Sequence, residues 1–222
     1  MSTPSSSASS SASSSASSSA SSSASDVLQR RQQIVESGHL GDPTFALVAL
    51  TDAEPSLRDV ALGALDRCDA LTDDRLCDAL VDDDATVRRR ALEFAARRPH
   101  IDLMVALHDA EAVVLEVACW ACGEHEVVTD EVVLRLVDLA TSHDVALVRE
   151  SAVAALGAIG DERGLPAIVA GCADQPAVRR RAVLALAPFE GPEVDAAIER
   201  ALTDRDWQVR QAAEDLVRAT RR

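Results

Sequence analysis

The chain has 222 residues, of which 47 % are apolar, so it is long enough to bury one sizeable core. Its 37 acidic residues outnumber 22 basic ones and give a formal net charge of -15, which repels phosphate and argues against a nucleic-acid-binding protein. No stretch approaches the run of about 18 apolar residues that a membrane span needs, so a membrane protein is also excluded.

The first 25 residues differ in composition from the rest. Met1-Ser2-Thr3-Pro4 is followed by five copies of Ser-Ser-Ser-Ala that end at Ala24, which contain no charged residue and no apolar side chain larger than Ala. This tract lacks the basic start and apolar run of a signal peptide. We predict a disordered, flexible tail over residues 1–25, with serine phosphorylation or glycosylation as a sharper alternative, and one folded array over residues 26–222.

The folded part begins with a helix from Asp26 to about Ser37, which Gly38 and Gly41 end. After it, one pattern recurs in which an apolar residue is usually followed by Arg. Its copies start 30, 27, 34, 30 and 31 residues apart, at Leu57, Val87, Val114, Val148, Val178 and Val209. Self-similarity at this period indicates a repeat array.

Each copy contains an amphipathic helix, because apolar residues fall at positions zero, four, seven and eight. Position four is always alanine, at Ala61, Ala91, Ala118, Ala152, Ala182 and Ala213. Such small side chains let two helices approach closely. A second helix is predicted before each copy, over residues 43–51, 73–81, 100–108, 130–141, 162–172 and 192–203.

Two rows of opposite charge accompany the helices. Position one is Arg in five copies, and an Asp stands four or five residues before position zero. The residues are Arg58, Arg88, Arg149, Arg179 and Arg210, with Asp52, Asp82, Asp109, Asp144, Asp174 and Asp204. Copy three departs from the pattern because Leu115 replaces the Arg.

These rows, together with the openings Gly41-Asp42-Pro43 and Gly160-Asp161, resemble the HEAT repeat, in the subtype named after the phycobilisome (PBS) lyases. The resemblance covers about Gly41 to Ala219. It implies an all-α, right-handed α-α superhelix of about six helix pairs, in which the Asp and Arg rows form a buried ladder between successive repeats. It also implies that Asp109 loses its partner in copy three.

The resemblance places the second helix of each pair on the concave face of the array, with positions two and six pointing outward. Position six is apolar in the middle copies, so these positions are the candidate docking surface for a protein partner. Its residues are Trp120, Ala154 and Leu184, flanked by Glu116, Glu150, Arg180, Arg89 and Glu93. The alternative is that Trp120 folds down between helices to fill the room left by the missing Arg at position 115.

We therefore expect a non-catalytic adaptor or scaffold for protein–protein interaction, a monomer without cofactor. The alternative is a metal- or chromophore-dependent enzyme similar to deoxyhypusine hydroxylase or the phycobilin lyases. Deoxyhypusine hydroxylase carries repeated His-Glu pairs as iron ligands. Here the one such pair is His125-Glu126, and the other histidines are scattered at His39, His100, His108 and His143.

Five cysteines, an odd number, suggest reduced thiols and a cytoplasmic protein. Cys119, Cys122 and His125 lie close enough in sequence to suggest a zinc or redox site. Both cysteines, however, fall at core positions of their helix and no fourth ligand is visible, so we predict that they are buried as small apolar side chains.

All 22 basic residues are Arg, and none is Lys. An acidic surface without lysine resembles that of proteins from strongly saline cytoplasms, whereas a GC-rich genome is the rival explanation. The triplets Arg88-Arg89-Arg90 and Arg179-Arg180-Arg181 lack the aromatic neighbours of a nucleic-acid site. We predict a halophilic protein whose fold is destabilised by self-repulsion in dilute buffer.

Overall fold

The computed structural model describes the backbone of residues 13–220 and the side chains of residues 24–219. Over this range the regular elements are twelve α-helices and two short 3₁₀ turns, as the all-α prediction requires. No helix in the described range is both long and apolar enough to cross a bilayer. The chain divides after Leu71 into two compact units.

The first unit consists of three helices, in which α3 packs against both α1 and α2. Its core contains Ile34, Ala46, Leu57 and Leu65, all buried. The helices are α1 Ser13–His39, α2 Thr44–Ala49 and α3 Pro55–Arg67.

Helix α1 starts at Ser13, well before the start predicted at Asp26, so part of the tract predicted as a disordered tail is helical. Ala has the highest helix propensity, and no Gly or Pro interrupts the sequence between Ser13 and Ser37. Residues 1–12 of the predicted tail lie outside the described residues.

The second unit holds the other nine helices. They are α4 Asp73–Leu80, α5 Ala85–Ala95, α6 Ala112–Gly123, α7 Asp130–Ser142, α8 Ala146–Ile159, α9 Leu165–Gly171, α10 Pro176–Ala185, α11 Pro192–Leu202 and α12 Trp207–Thr220. The helices that begin with the recurring motif pack on one another in the order α5, α6, α8, α10, α12. Helices α4, α7, α9 and α11 pack against the motif helix that follows each of them.

The alanine row forms the centre of the packing. All six position-four alanines are 0 % exposed, and the apolar residues at position zero are buried as well. Gly157 marks another close contact between helices, because a Cβ built there would lie 2.5 Å from the Cβ of Ala185. Helices α8 and α10 therefore approach so closely that only a glycine fits at this crossing.

The predicted helix over residues 100–108 is wrong, because only a 3₁₀ turn, Ala106–His108, forms there. Asp102 accepts a hydrogen bond from the backbone N–H of Met104 at 2.9 Å, which offers the backbone an alternative to the helix. Ile101 and Leu107 are nevertheless buried, so the segment still fills its place in the core. The predicted helix over 162–172 is similarly shortened and begins with a 3₁₀ turn, Glu162–Gly164.

Charged side chains connect successive repeats of the second unit in a fixed geometry. The guanidinium of Arg149 donates from Nη1 to the carbonyl oxygen of His143 at 2.7 Å, in its own repeat. Its Nε and Nη2 donate to the two carboxylate oxygens of Asp174 in the next repeat, at 2.7 and 2.8 Å. Arg88 with Asp109 and Arg179 with Asp204 repeat the arrangement. One planar guanidinium thus ties a loop and the following repeat together.

This geometry corrects the prediction about Asp109. Arg88, Arg149 and Arg179 each pair with the Asp of the next repeat, so Asp109 keeps a bidentate pair with Arg88, at 2.6 and 2.9 Å. The replacement of Arg by Leu115 affects the following loop instead. In that loop His143 stands where the other repeats have the ladder Asp. Its Nδ1 accepts a hydrogen bond from the backbone N–H of Val145 at 3.1 Å.

Asp144, which the sequence pattern assigns to the ladder, is exposed, and its carboxylate makes no ion pair among the described residues. Leu115 is buried and His143 is half-buried. The Arg and the Asp are therefore both replaced at the same junction between repeats, which leaves no buried charge without a partner.

The first unit contains an ion pair of the same kind that the repeat pattern does not reveal. Arg30 of α1 pairs with Asp52 in the loop before α3. Arg58 donates to the carbonyl oxygen of Asp52 at 2.8 Å, as the ladder arginines of the second unit do in their own loops. In the second unit, Arg210 likewise donates to the carbonyl oxygen of Asp204 in its own loop, at 2.7 Å.

The ladder lowers the pKa of its carboxyl groups. Hydrogen bonds from Arg149 and Arg179 are the main reason that the pKa values of Asp174 and Asp204 lie below the ordinary value. At Asp109, burial acts to raise the pKa, but the hydrogen bonds from Arg88 and from the backbone outweigh it, and the pKa is lowered. All three carboxyl groups are therefore charged at neutral pH.

Candidate functional site

A groove of about 620 Å³ runs along the exposed sides of α6 and α8 in the second unit. These two helices pack directly against each other. Glu93 of α5 stands at one end of the groove and Arg181 of α10 at the other. Four motif helices therefore contribute to a single concave surface.

The α6 wall consists of Glu116, Trp120 and Glu124, spaced four residues apart. Residues at this spacing lie on one face of a helix, so the aromatic ring has a carboxylate one turn before it and one turn after it. Glu124 directly follows the last residue of α6, and its backbone N–H still donates to the carbonyl oxygen of Trp120 at 3.2 Å.

The α8 wall is made of small and apolar residues with one carboxylate. Leu147, Glu150, Ala154 and Ala158 follow one another at spacings of three or four and line the groove. The alanines leave room above the helix that larger side chains would fill. Between the walls, Val117 and Ala155 complete an apolar floor.

The structure decides between the two predicted positions of Trp120. The residue is 45 % exposed and lines the groove, whereas Leu115 is buried in the space near the missing Arg. The expectation that Trp120 folds down between helices is therefore wrong, because the leucine already occupies that interior position. A large aromatic ring left half exposed above a cavity is typical of a binding surface.

The groove is acidic. Glu93, Glu116, Glu124 and Glu150 oppose the single guanidinium of Arg181. Glu150 lies 3.7 Å from Arg181, and Glu93 is paired with Arg89 at 3.3 Å and with Arg90. Glu116 and Glu124 make no ion pair with any residue of the described part of the chain. The two carboxylates beside Trp120 are thus available to a ligand.

Five of the predicted docking residues line this groove and three do not. Trp120, Ala154, Glu116, Glu150 and Glu93 belong to it. Leu184 is 41 % exposed on α10, but Leu184, Arg180 and Arg89 lie outside the lining. The groove thus involves the same four motif helices as the predicted strip, but on α10 it is lined by Arg181 instead of Arg180 and Leu184.

The sequence prediction also missed several lining residues. Position three of the repeat contributes Val117, Ser151 and Arg181 to the lining. Position ten contributes Glu124 and Ala158. A groove between neighbouring helices is lined from both of its sides, so positions adjacent to the outermost row face it too. The available signal was the Glu116, Trp120, Glu124 row, which the sequence shows at a spacing of four.

Cys119 and Cys122 are buried, as predicted. Burial raises the pKa of the Cys122 thiol to about 12, and burial also raises the pKa of Cys119. His125 donates from Nε2 to the carbonyl oxygen of Ala95 at 3.0 Å. This histidine therefore links the end of α5 to the loop after α6.

Several arginines in and near the two basic triplets contact other side chains of the chain. Arg90 and Arg97 lie over the ring of Phe94, at 4.8 and 5.5 Å from its centre. Arg88 and Arg179 belong to the ladder. Their charges stabilise neighbouring helices.

Stacked helix pairs with alanine contacts and an Arg–Asp ladder define an α-α repeat protein. Comparison with protein families identifies HEAT repeats at residues 101–177 and a PBS lyase HEAT-like repeat at residues 178–204. Residues 101–204 therefore consist of HEAT repeats, of the PBS lyase HEAT-like subtype at residues 178–204, which confirms the resemblance seen in the sequence. No curated protein sequence matches the chain.

Solved structures resemble the chain in fold. A designed armadillo repeat protein in complex with the peptide (KR)4 is 18 % identical, covers 80 % of this chain and 98 % of its own, and has a TM-score of 0.59. An engineered protein is 19 % identical over 80 % of this chain and 97 % of its own, with a TM-score of 0.60. These likenesses confirm the predicted all-α fold of the HEAT and armadillo repeat type.

Human deoxyhypusine hydroxylase in complex with glycerol is a more distant relative in structure. It is 20 % identical over 86 % of this chain and 78 % of its own, with a TM-score of 0.45. At that score the likeness does not bear on the activity of this chain.

Proposed function

We propose that this protein is a non-catalytic adaptor that takes a segment of a protein partner into the groove between α6 and α8. The observation that carries the proposal is Trp120, which is 45 % exposed above a groove of about 620 Å³. Tryptophan is enriched among the residues that dominate binding energy at protein interfaces, where it fills or borders a pocket.

The composition of the groove supports a peptide segment as ligand. Val117, Leu147 and Ala154 offer apolar contact, while the carboxylates at the rim offer hydrogen-bond acceptors. An apolar centre with a polar rim is the usual anatomy of a protein interface. HEAT-type folds are typical of binding scaffolds, and the designed armadillo protein of similar fold is a peptide complex.

The enzyme alternative has less support. Each of four histidine rings is hydrogen-bonded in a different loop, His100 to Asp73, His108 to Met104, His125 to Ala95 and His143 to Val145. No three His, Cys, Asp or Glu side chains of the described residues are grouped to hold a metal ion. Metal analysis of the purified protein is the direct test, because stoichiometric iron or zinc would favour the enzyme.

Selection from a displayed library of random peptides tests the groove without assuming the partner's chemistry. Peptides enriched on the wild-type protein should lose binding to a Trp120→Ala variant, since the aromatic anchor is removed. Trp120 is exposed, so the variant should unfold at nearly the same denaturant concentration as the wild type.

Leu184→Ala provides the matched control. This residue is also apolar and exposed on a motif helix but does not line the groove, so the selected peptides should bind the variant as they bind the wild type. Peptides that bind equally well to the Trp120→Ala variant would show that the groove is not the docking site.

A further inference from the structure

We infer that the segment bound by this groove is basic, and that one of its Lys or Arg side chains lies over the Trp120 ring between Glu116 and Glu124. The inference rests on the proposed function and adds the chemistry of the partner. It is carried by the placement of an exposed indole between two carboxylates that have no ion pair in the described residues.

Charge complementarity selects the sign of the ligand. The groove presents four carboxylates against the one guanidinium of Arg181. The chain as a whole has a formal net charge of -15, so long-range attraction favours the same kind of ligand. An acidic segment would meet repulsion at both walls, which is how an interface rejects the wrong partner.

The ring adds a reason for a cation at one particular place. A guanidinium or ammonium over the face of tryptophan is attracted by the negative face of the indole. Glu116 and Glu124 stand one helical turn to either side, so the same cation can also form a charge-assisted hydrogen bond with one of them. The Ala154 and Ala158 side of the groove leaves space for the stem of the side chain.

Glu93 and Glu150 extend the acidic surface towards both ends of the groove. They are already paired, Glu93 with Arg89 and Glu150 with Arg181 at 3.7 Å. A second cation of the ligand would have to compete with these arginines. Glu116 and Glu124, beside Trp120, therefore contribute most to affinity, and Glu93 and Glu150 contribute less.

The test is a titration with the eight-residue peptide (Lys-Arg)4, followed by the fluorescence of Trp120 in a Trp207→Phe background at about 0.1 M salt. Trp207 is the second tryptophan, and its removal leaves Trp120 as the reporter. The peptide should change the emission and bind at least about tenfold more tightly than an analogue with acetyl-lysine and citrulline, which has the same shape but no charge.

Two double variants separate the groove from general attraction to an acidic protein. Glu116→Gln with Glu124→Gln should weaken (Lys-Arg)4 by at least about tenfold. Glu199→Gln with Glu214→Gln removes the same number of charges from exposed positions outside the groove and should change affinity by less than about twofold. Trp120→Ala, measured by calorimetry, should also weaken binding.

Absence of (Lys-Arg)4 binding, equal affinity for the neutral analogue, or equal losses in the two double variants would each overturn the inference. A failure of this kind is distinguishable from failure of the proposed function. If selected peptides need Trp120 but are not basic, the groove remains a docking site and only its assigned ligand chemistry is wrong.

Discussion

Arg149 illustrates what single residues contribute to this fold. Its guanidinium uses Nη1 for a carbonyl oxygen of its own repeat and Nε with Nη2 for the carboxylate of Asp174. A lysine could not make these bonds together, because its ammonium lacks the planar fork. The complete absence of lysine from the chain is compatible with this requirement at the ladder positions.

Replacing Arg149 by alanine should lower the free energy of unfolding by about 2–4 kcal/mol, because Asp174 would be left partly buried without its partner. The two side chains are 14 % and 20 % exposed. Arg149→Lys should recover only part of the loss. Urea unfolding followed by circular dichroism provides the measurement.

Arg163→Ala is the control for this prediction. Arg163 also bonds two aspartates, Asp130 and Asp161, but its side chain is 42 % exposed. Solvent screens such surface pairs, so the change in stability should be much smaller than for Arg149→Ala. Equal losses in the two variants would contradict a special role for the ladder.

The ladder also predicts how stability depends on pH. The pKa values of Asp109, Asp174 and Asp204 are lowered in the folded chain, so their contribution is complete above the ordinary Asp value of about 3.9. It is lost as the pH falls through the lowered values, because the unfolded chain then binds more protons. The free energy of unfolding should therefore decrease below about pH 4.

Asp174→Asn removes one of these titrating groups. The variant should be less stable at neutral pH and should lose stability less steeply in acid, as measured by urea unfolding at a series of pH values. An unchanged acid slope would show that other groups control the transition.

At the scale of helices, the sequence predicted the motif helices and their buried faces well, because a repeated pattern gives the same information six times. It failed over residues 100–108, where Asp102 holds a local turn that competes with the helix. It also failed at the start of α1, because a Ser/Ala tract lacks the apolar pattern on which the prediction relied.

The groove was only partly predictable for a related reason. Position six identified Trp120 and Ala154, but the repeat pattern does not show which neighbouring helices are close enough to share a cavity. Arg181 rather than Arg180 faces the groove, and only the relative placement of α8 and α10 distinguishes these adjacent residues.

The close approach of α8 and α10 can be tested at Gly157. Helix propensity alone would make Gly157→Ala stabilising by about 1 kcal/mol. The new Cβ would lie 2.5 Å from the Cβ and 2.6 Å from the Cα of Ala185, however, so the helices would have to move apart. We expect a net loss of about 1–3 kcal/mol in thermal or urea unfolding.

Ala158→Gly, one residue further along α8, measures propensity without the steric effect. The residue is exposed, so its replacement should cost about 1 kcal/mol. A stabilising effect of Gly157→Ala would contradict the close contact between α8 and α10.

For the whole molecule, the balance of charge is the dominant electrostatic property. A formal net charge of -15 means that the 37 acidic residues exceed the 22 basic ones by 15, so many carboxylates have no matching cation. Salt screens repulsion between exposed charges over distances beyond about 3 Å at 1 M, whereas the partly buried ladder pairs are screened less. Added salt should therefore weaken the repulsion between exposed carboxylates more than the attraction within the ladder pairs.

We predict that the free energy of unfolding rises between about 0.1 M and 2 M KCl. Replacing the exposed Glu126, Glu199 and Glu214 by glutamine should increase stability at low salt and make the salt dependence shallower. Urea titrations at several KCl concentrations measure both effects. A decrease of stability with salt would show that attraction between charges prevails and would contradict a halophilic protein.

The spacing of the ladder partners has a consequence for how the second unit folds. Arg88 and Asp109 are 21 residues apart, and Arg149 and Asp174 are 25 apart. Contact order is therefore low, and little chain entropy is lost before each repeat forms stabilising contacts with its neighbour. The junction at Leu115 and His143 lacks this ionic link, so under mechanical pulling the array should separate there first.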